Sequence, residues 1–176
     1  MDLREELLRE HSKAQALRLS EYIGHDADRL ADLMALFLRD EYRVSQRAAW
    51  VVSHCAKRSP ELFKPYFQVM LENLERGGQH IAIKRNTLKV LAELGVPNEL
   101  LGMAASLCFD YLADPKEAIA VKAHSMAILY QICLVEPDLA GELQLLIEDQ
   151  LPTGSAGIKS RGKNILKALR KRGLIT

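Results

Sequence analysis

Residues 114–132, DPKEAIAVKAHSMAILYQI, decide the fold because they place a charge among apolar residues. On a helix that turns about 100° per residue, Lys122 projects between Met126 and Leu129, inside the apolar arc. The aliphatic stem of a lysine can cover apolar surface while its ammonium reaches water. The stretch therefore predicts a helix that packs against neighbours on more than one side, with Lys122 at the seam.

The same pattern recurs along the chain. Four segments align without gaps: VSQRAAWVVSHCA from Val44, IAIKRNTLKVLAE from Ile81, IAVKAHSMAILYQ from Ile119 and AGIKSRGKNILKA from Ala156. The fourth position is always basic, and these cations lie 37, 38 and 37 residues apart: Arg47, Lys84, Lys122 and Lys159. A series of prolines marks the start of the amphipathic run that precedes each of the last three segments: Pro60, Pro97 and Pro137. A period of this length predicts tandem helical hairpins that share one core.

The repeat predicts an all-α chain, because no segment alternates with period two. We expect an N-terminal helix over about 2–23 and four pairs of helices: 26–40 with 43–57, 60–76 with 79–94, 98–112 with 116–134, and 138–150 with 156–172. Ser59 is expected to cap the helix that begins at Pro60. We expect a single domain over residues 1–176, divided into an N-terminal helix (1–24) and four repeats: 25–58, 59–95, 96–135 and 136–173.

Two turns resemble those of a known family. Asp114-Pro115 in a hairpin turn and Val121-Lys122 opening the next helix resemble HEAT repeats and, more loosely, armadillo repeats, and Asp40 with Arg47 follows the same plan. The turns at 77–78 and 152–154 depart from it. Over residues 25–172 the resemblance implies a right-handed α-α superhelix, a short solenoid of about four helical hairpins plus an N-terminal helix. It also implies that the four recurrent cations reach turn carboxylates or carbonyls and serve packing, not binding.

Composition narrows the class of protein. Apolar residues make up 48% of the chain and charged residues 27%, which is typical of a globular domain. No stretch reaches the roughly 18 apolar residues of a membrane span, and the N-terminus lacks the apolar run of a secretory signal, so a cytoplasmic protein is predicted. Cys55, Cys108 and Cys133 lack CxxC spacing and are expected to be reduced core thiols. The five histidines show no metal-ligand spacing, so we predict no metal and no cofactor.

In each pair, the second helix has one strip of residues that is not needed for packing and could serve recognition. Positions 1, 2, 5 and 9 after the basic residue project outwards, and the resemblance places them on the concave surface. In the first repeat these are small and apolar, so the N-terminal helix is expected to cover them: Ala48, Ala49, Val52 and Ala56. In the other repeats they are mostly polar: Arg85, Asn86, Lys89, Glu93; Ala123, His124, Ala127, Gln131; Ser160, Arg161, Asn164, Ala168.

The C-terminal segment adds a second candidate surface. After Asp149 there is no acidic residue, while seven cations follow: Lys159, Arg161, Lys163, Lys167, Arg170, Lys171 and Arg172. Such a basic end attracts acidic proteins or phosphate backbones. The candidate partner-binding residues from both surfaces are Arg85, Asn86, Lys89, His124, Arg161 and Lys163.

Three functions are compatible with these patterns. The chain has no glycine-rich phosphate loop and no GxSxG motif, so we predict a non-catalytic binding or scaffold module for a protein partner, as a monomer or weak oligomer and without membrane association. The alternative is a nucleic-acid-binding or DNA-repair protein related to HEAT-like alkylpurine DNA glycosylases. Against it stand an aromatic content of 6% and a pI of about 7.7. The third possibility is an internal subunit whose last repeat continues into another chain.

Overall fold

The protein is described here by a computed structural model of residues 1–176, in which every residue but Asp40 is described. The turn expected at Asp40 therefore lies outside the described residues. The α-helices are α1 (Leu3–Arg9), α2 (Lys13–Ile23), α3 (Ala27–Arg39), α4 (Tyr42–Arg58), α5 (Phe67–Glu75), α6 (Ile81–Leu94), α7 (Leu101–Ala113), α8 (Ile119–Cys133), α9 (Ala140–Gln150) and α10 (Ala156–Lys171). No strand occurs among the described residues, and the predicted all-α class is confirmed.

The single N-terminal helix predicted over 2–23 is wrong, because two helices, α1 and α2, occupy this segment. The chain is extended at Glu10, with φ −149° and ψ 144°, and Ser12 then caps α2 by accepting a hydrogen bond from Gln15 N at 3.0 Å. The Gln15 side chain donates to the Glu6 carbonyl oxygen at 2.8 Å, which ties the two helices together. Ser12 was a visible N-cap signal within an otherwise helical pattern.

The first helices of the later repeats begin differently from the prediction. Each opens with a 3-10 segment, namely Pro60–Tyr66, Asn98–Leu100 and Pro137–Leu139. In the first of these Pro65 supplies no N–H, so α5 begins only at Phe67. The predicted cap by Ser59 is wrong: its side chain accepts no hydrogen bond from the helix, and its hydroxyl donates to the Gly24 carbonyl oxygen at 2.8 Å and lies 3.0 Å from His25 Nδ1.

The recurrent cations keep a common position in the second helices. Lys84, Lys122 and Lys159 are each the fourth residue of α6, α8 and α10. Their backbone N–H groups donate to the residue just before the helix, His80, Ala118 and Ser155, at 3.3, 3.0 and 2.9 Å. Arg47 lies two residues later in its helix, because α4 begins earlier, at Tyr42. The regular spacing of these cations in the sequence therefore reflects the regular spacing of the N-termini of the second helices.

The chain divides into two compact units, Met1–Val90 and Leu91–Thr176. In the first unit α4 contacts α1, α2 and α3. The small residues expected to need a cover are fully buried on α4: Ala48, Ala49, Val52 and Ala56, each at 0% exposure. The predicted cover by the N-terminal segment is confirmed, although two helices supply it. Arg47 donates from Nη1 to the Leu7 carbonyl oxygen at 2.8 Å, so here the recurrent cation does reach a carbonyl.

In the second unit α8 contacts α7, α9 and α10. Both predicted apolar faces of α8 are buried, with exposures of 0 or 1% for Val121, Met126, Ile128, Leu129 and Ile132. Two glutamine side chains connect elements about one repeat apart. Gln131 Nε2 donates to the Ala92 carbonyl oxygen, and Gln150 Nε2 to that of Leu112, both at 2.8 Å. Buried apolar faces and these hydrogen bonds together fix neighbouring helices in register.

Ile119 and Ile81, although apolar and at equivalent positions of the repeat, are 55% and 44% exposed. Each is the first residue of its helix, and helical side chains lean towards the N-terminus, beyond the surface that the neighbours cover. The predicted core thiols are confirmed: Cys55, Cys108 and Cys133 are free and buried. Burial raises the pKa of Cys55 and Cys108 to about 12 and that of Cys133 to about 11.

Lys122 is only 8% exposed and borders a cavity of about 290 Å³. Among the described residues its side chain makes no ion pair and no hydrogen bond, so the implied contact with a turn carboxylate is absent. Asp114, the turn carboxylate, accepts from Lys116 N at 2.8 Å and is used by its own turn. The buried stem explains why a lysine fits in the apolar arc, but its charge gains no partner there.

We expect Lys122→Met to leave the free energy of unfolding unchanged or to raise it by up to about 2 kcal/mol, because methionine keeps the stem and removes a desolvated charge. Lys159→Met, at a partly exposed equivalent position, is the control and should change it by less than about 0.5 kcal/mol. Urea denaturation measures both. A loss above about 1 kcal/mol for Lys122→Met would mean that the ammonium is bonded in solution.

Gly162 and Gly157 form a matched pair on α10. A Cβ at Gly162 would lie 2.7 Å from Cγ2 of Ile147, whereas at Gly157 its nearest neighbour would be Ser155 Oγ at 3.9 Å. We expect Gly162→Ala to lower the free energy of unfolding by about 1–3 kcal/mol through overpacking between α9 and α10. Gly157→Ala should be neutral or stabilising by up to about 1 kcal/mol. Equal effects of the two substitutions on the urea midpoint would contradict the close approach of α9 and α10.

Candidate functional site

The predicted partner-binding residues fall in both units. Arg85, Asn86 and Lys89 belong to the first unit, and His124, Arg161 and Lys163 to the second. Arg85, Arg161 and Lys163 are exposed, while Lys89 and His124 are half-buried. The prediction that Asn86 binds a partner is wrong. This residue is 4% exposed, and its Nδ2 donates to the Ala82 carbonyl oxygen of the same helix at 2.8 Å. Its amide is therefore used inside α6 and cannot line a surface for a partner.

A groove of about 380 Å³ lies in the second unit and is called the α8–α10 groove. Its lining residues are Ala92, Glu93, His124, Ala127, Tyr130, Gln131, Arg161 and Ile165. Five of these belong to the strip that the sequence predicted to face outwards: Glu93, His124, Ala127, Gln131 and Arg161. Successive second helices thus place their equivalent positions side by side. Lys163 is exposed on α10 but does not line this groove.

The chemistry of the α8–α10 groove is mixed. Glu93, His124 and Arg161 offer charged or titratable groups, whereas the half-buried Ala127 and Tyr130 offer apolar surface. The hydrogen bond from Gln131 to the Ala92 carbonyl oxygen holds one wall in place. A shallow groove of this composition suits a polypeptide, because Tyr and Arg are the residues that most often anchor protein interfaces.

Some of the cations at the basic C-terminal end make contacts within the chain, and others are exposed. Lys163, Lys167 and Lys171 of α10 are exposed. Arg170 lies 3.6 Å from Glu148 and donates from Nε to the Thr176 carbonyl oxygen at 3.1 Å. Cations in the last turn also complement the helix dipole. The exposed lysines remain available to an acidic partner, while Arg170 has a structural role.

The sequence did not identify a groove of about 320 Å³ in the first unit, called the His54 groove. It is lined by Leu17, Ser20, His54, Lys57 and Arg58. The only tryptophan, Trp50, lies beside it, with its ring centroid 6.4 Å from that of His54. The Trp50 ring is also contacted edge-on by the His11 ring, with their centroids 5.7 Å apart, so it packs against side chains of its own chain. Helix periodicity shows which residues share a face of α4, but not that α2 lies alongside.

The pKa of His54 is shifted by burial and by nearby positive charges. Burial lowers its pKa below the usual 6.5, and the charges of Lys89, Lys57 and Lys13 lower it further. The imidazole is therefore held in its neutral form. Its Nε2 atom is buried and has no hydrogen-bond partner among the described residues. Cations from three helices, α2, α4 and α6, thus act on one side chain.

Comparison with known proteins agrees with the geometry. The fold and its stacked second helices define a protein of the α-helical repeat class, and the family model for the HEAT repeat domain matches residues 3–169. The chain belongs to the HEAT-repeat family. No curated protein and no solved structure matches it significantly. No helix among the described residues is long and apolar enough to cross a bilayer.

We expect His54 to titrate below pH 6.5 in the folded protein, and Lys89→Gln to shift its pKa upwards because one repulsive charge is removed. A depressed folded-state pKa means that the unfolded chain binds the proton more readily. The stability that the neutral His54 contributes is therefore complete above about pH 6.5 and is lost as the pH falls through its folded-state pKa. NMR titration of the imidazole measures the shift, with Lys163→Gln as control. A His54 pKa above 6.5 would contradict this placement of the lysines.

Proposed function

We propose that the chain is a non-catalytic binding module that engages a protein partner through the α8–α10 groove. The observation that carries the proposal is the meeting, in one groove, of five residues from equivalent positions of successive repeats. A repeat protein uses such equivalent positions for recognition, because its second helices present them along one continuous surface. The HEAT-repeat family, to which the chain belongs, typically serves protein interaction without catalysis. The cytoplasmic location stays a prediction.

The composition of the groove supports a polypeptide ligand. Tyr130 and Ala127 provide apolar contact area, and Arg161 provides a planar donor for a carboxylate. The exposed lysines of α10 continue this positive character towards the C-terminus, which fits an acidic segment of the partner. In this arrangement Tyr130 and Arg161 anchor the partner, while Lys163 and its neighbours steer its approach.

The nucleic-acid alternative has one observation in its favour, the exposed cations of α10. Phosphate contacts made by lysine and arginine would give an affinity that falls steeply with salt. A duplex DNA titration at low and moderate salt therefore separates the two functions. Binding that Lys163→Ala and Lys167→Ala weaken in proportion to the charge removed would favour nucleic acid.

The direct test is capture of a partner from the source cell with the tagged chain, followed by calorimetry with the purified partner. We expect Tyr130→Ala and Arg161→Ala each to weaken binding at least about tenfold, as removal of an interface anchor typically does. Lys167→Ala and Lys171→Ala together should change mainly the association rate and its salt dependence.

Arg76→Ala is the matched control, since Arg76 is exposed at the end of α5 in the first unit. It should leave the affinity unchanged. An affinity that is insensitive to Tyr130→Ala and Arg161→Ala, but is lost with the α10 lysines, would move the binding surface to the C-terminal end. Retention of nucleic acid in place of any protein would overturn the proposal.

A further inference from the structure

The cavity of about 290 Å³ beside Lys122 lies in the second unit and is called the turn cavity. Glu117 lines it from the turn between α7 and α8, and Gly154 and Ser155 line it from the turn between α9 and α10. Its lining residues differ from those of the α8–α10 groove. The turn cavity is therefore a separate surface of the same unit.

Lys122 brings an unpaired cation to the turn cavity. It is 8% exposed, and its side chain has no ion pair and no hydrogen bond among the described residues. Four side-chain atoms of the described residues are fully enclosed without a hydrogen-bond partner; Lys122 Nζ is not one of them, so it keeps contact with open space. Helical side chains lean towards the N-terminus of their helix, and that end of α8 adjoins a turn that lines the cavity. A charge withdrawn from water costs free energy that an opposite charge can offset, so the position favours an anion.

The N-terminus of α10 lies at the same cavity. Ser155 caps this 16-residue helix by accepting a hydrogen bond from Ile158 N at 3.3 Å, and both residues line the cavity. The dipole of a helix and the free N–H groups of its first turn attract negative charge. The Ser155 hydroxyl also keeps its own proton to donate. The start of α10 therefore adds to the attraction that the Lys122 ammonium exerts on an anion.

Hydrogen bonds hold the walls of the turn cavity in place. Gln150 Nε2 donates to the carbonyl oxygens of Leu112 at 2.8 Å and Leu146 at 3.2 Å, and all three residues line the cavity. Gly154 N donates to the Gln150 carbonyl oxygen at 2.8 Å, and a Cβ at Gly154 would lie 2.5 Å from that oxygen. The turn before α10 is thus packed tightly against the end of α9. A cavity with fixed walls loses little conformational entropy when a ligand enters.

We propose that the turn cavity binds a small aliphatic carboxylate, with Lys122 as its ion-pair partner. One buried ammonium matches one carboxylate, whose two oxygens can accept from Nζ and from the Ser155 hydroxyl. The apolar side chains of Leu112, Ile119 and Ile158 offer contact to a short aliphatic chain. The inference goes beyond the proposed function and does not depend on it, because the α8–α10 groove is lined by other residues.

The charges that line the cavity select a monoanion. Besides Lys122, the charged residues among its described lining are Glu117 and Asp149. The second charge of a phosphate would therefore meet like charges without a second cation to offset them. Glu117 accepts a hydrogen bond from Ala118 N at 2.9 Å within its own turn, and Asp149 is exposed, where water screens its charge. A cationic ligand would have to lie beside the desolvated ammonium of Lys122.

The experiment titrates the full chain at constant ionic strength with butyrate, butyramide, butylamine and inorganic phosphate. The methyl resonances of Ile119 and Ile158 report on the cavity, and those of Ile165, in the α8–α10 groove, are the internal control. We expect saturable shifts of the first two residues with butyrate only, because butyramide lacks the charge and butylamine has the opposite one. Phosphate binding equal to that of butyrate would indicate a general anion site, and butylamine binding a cation site; either result would overturn the inference.

Lys122→Met should weaken butyrate binding at least about tenfold. Lys159→Met, at the equivalent position of α10 and outside the cavity lining, is the matched control and should leave the affinity unchanged. Asp149→Asn should strengthen binding by about twofold to fivefold, because it removes an exposed like charge. Butyrate should also raise the urea midpoint of the original chain but not that of Lys122→Met, so that loss of binding is distinguished from loss of folding.

A peptide with a free C-terminus, N-acetyl-trialanine, separates two sources of the carboxylate. We expect it to bind more weakly than butyrate, because the cavity holds only about 290 Å³. Tighter binding of the peptide would assign the site to the end of a polypeptide and overturn the small-molecule ligand. Absence of saturation with butyrate, or unchanged affinity in Lys122→Met, would overturn the inference altogether. These outcomes are independent of the proposed function, because the titrations use no protein partner and leave Tyr130 and Arg161 intact.

Discussion

The second helices of two inner repeats, α4 and α8, are buried on two faces, and a hairpin partner can cover only one of them. α8 shows the constraint most fully: its buried residues face α7 on one side and the following hairpin, α9 and α10, on the other. A helix of this kind is stable only when a neighbouring element supplies the second cover. The stacked arrangement therefore follows from the sequence of α8 itself, and the position of the α8–α10 groove follows from the stacking.

The first unit meets the same constraint with a different element. The small residues on α4 are covered by α1 and α2. Alanine at these positions allows the close approach that the two short helices need. The hydrogen bond from Arg47 to the Leu7 carbonyl oxygen joins α4 to the end of α1. This cover also brings α2 beside α4, and so creates the His54 groove.

The period of the recurrent cations and the polarity of the outward-facing positions made the repeat predictable. The repeat marked by Lys84, Lys122 and Lys159 predicted the starts of three helices to within three residues, and the outward strip contained five of the residues that line the α8–α10 groove. Local competition for hydrogen bonds was not predictable to the same degree. Ser59 has the side chain of a helix cap, and only the folded chain shows that it makes no cap and that its hydroxyl donates to the Gly24 carbonyl oxygen. The His54 groove was missed for a related reason, since it joins residues about 40 positions apart in sequence through packing alone.

The buried cysteines have a consequence for chemistry at the surface. Cys55 belongs to one unit, and Cys108 and Cys133 to the other; in each case burial keeps the thiol protonated near neutral pH. Peroxide and alkylating reagents react with the thiolate, so neither unit offers them a target while it stays closed. Modification of these cysteines must therefore follow transient opening of the unit that holds them, and the rate at which each thiol is modified measures how often its own unit opens.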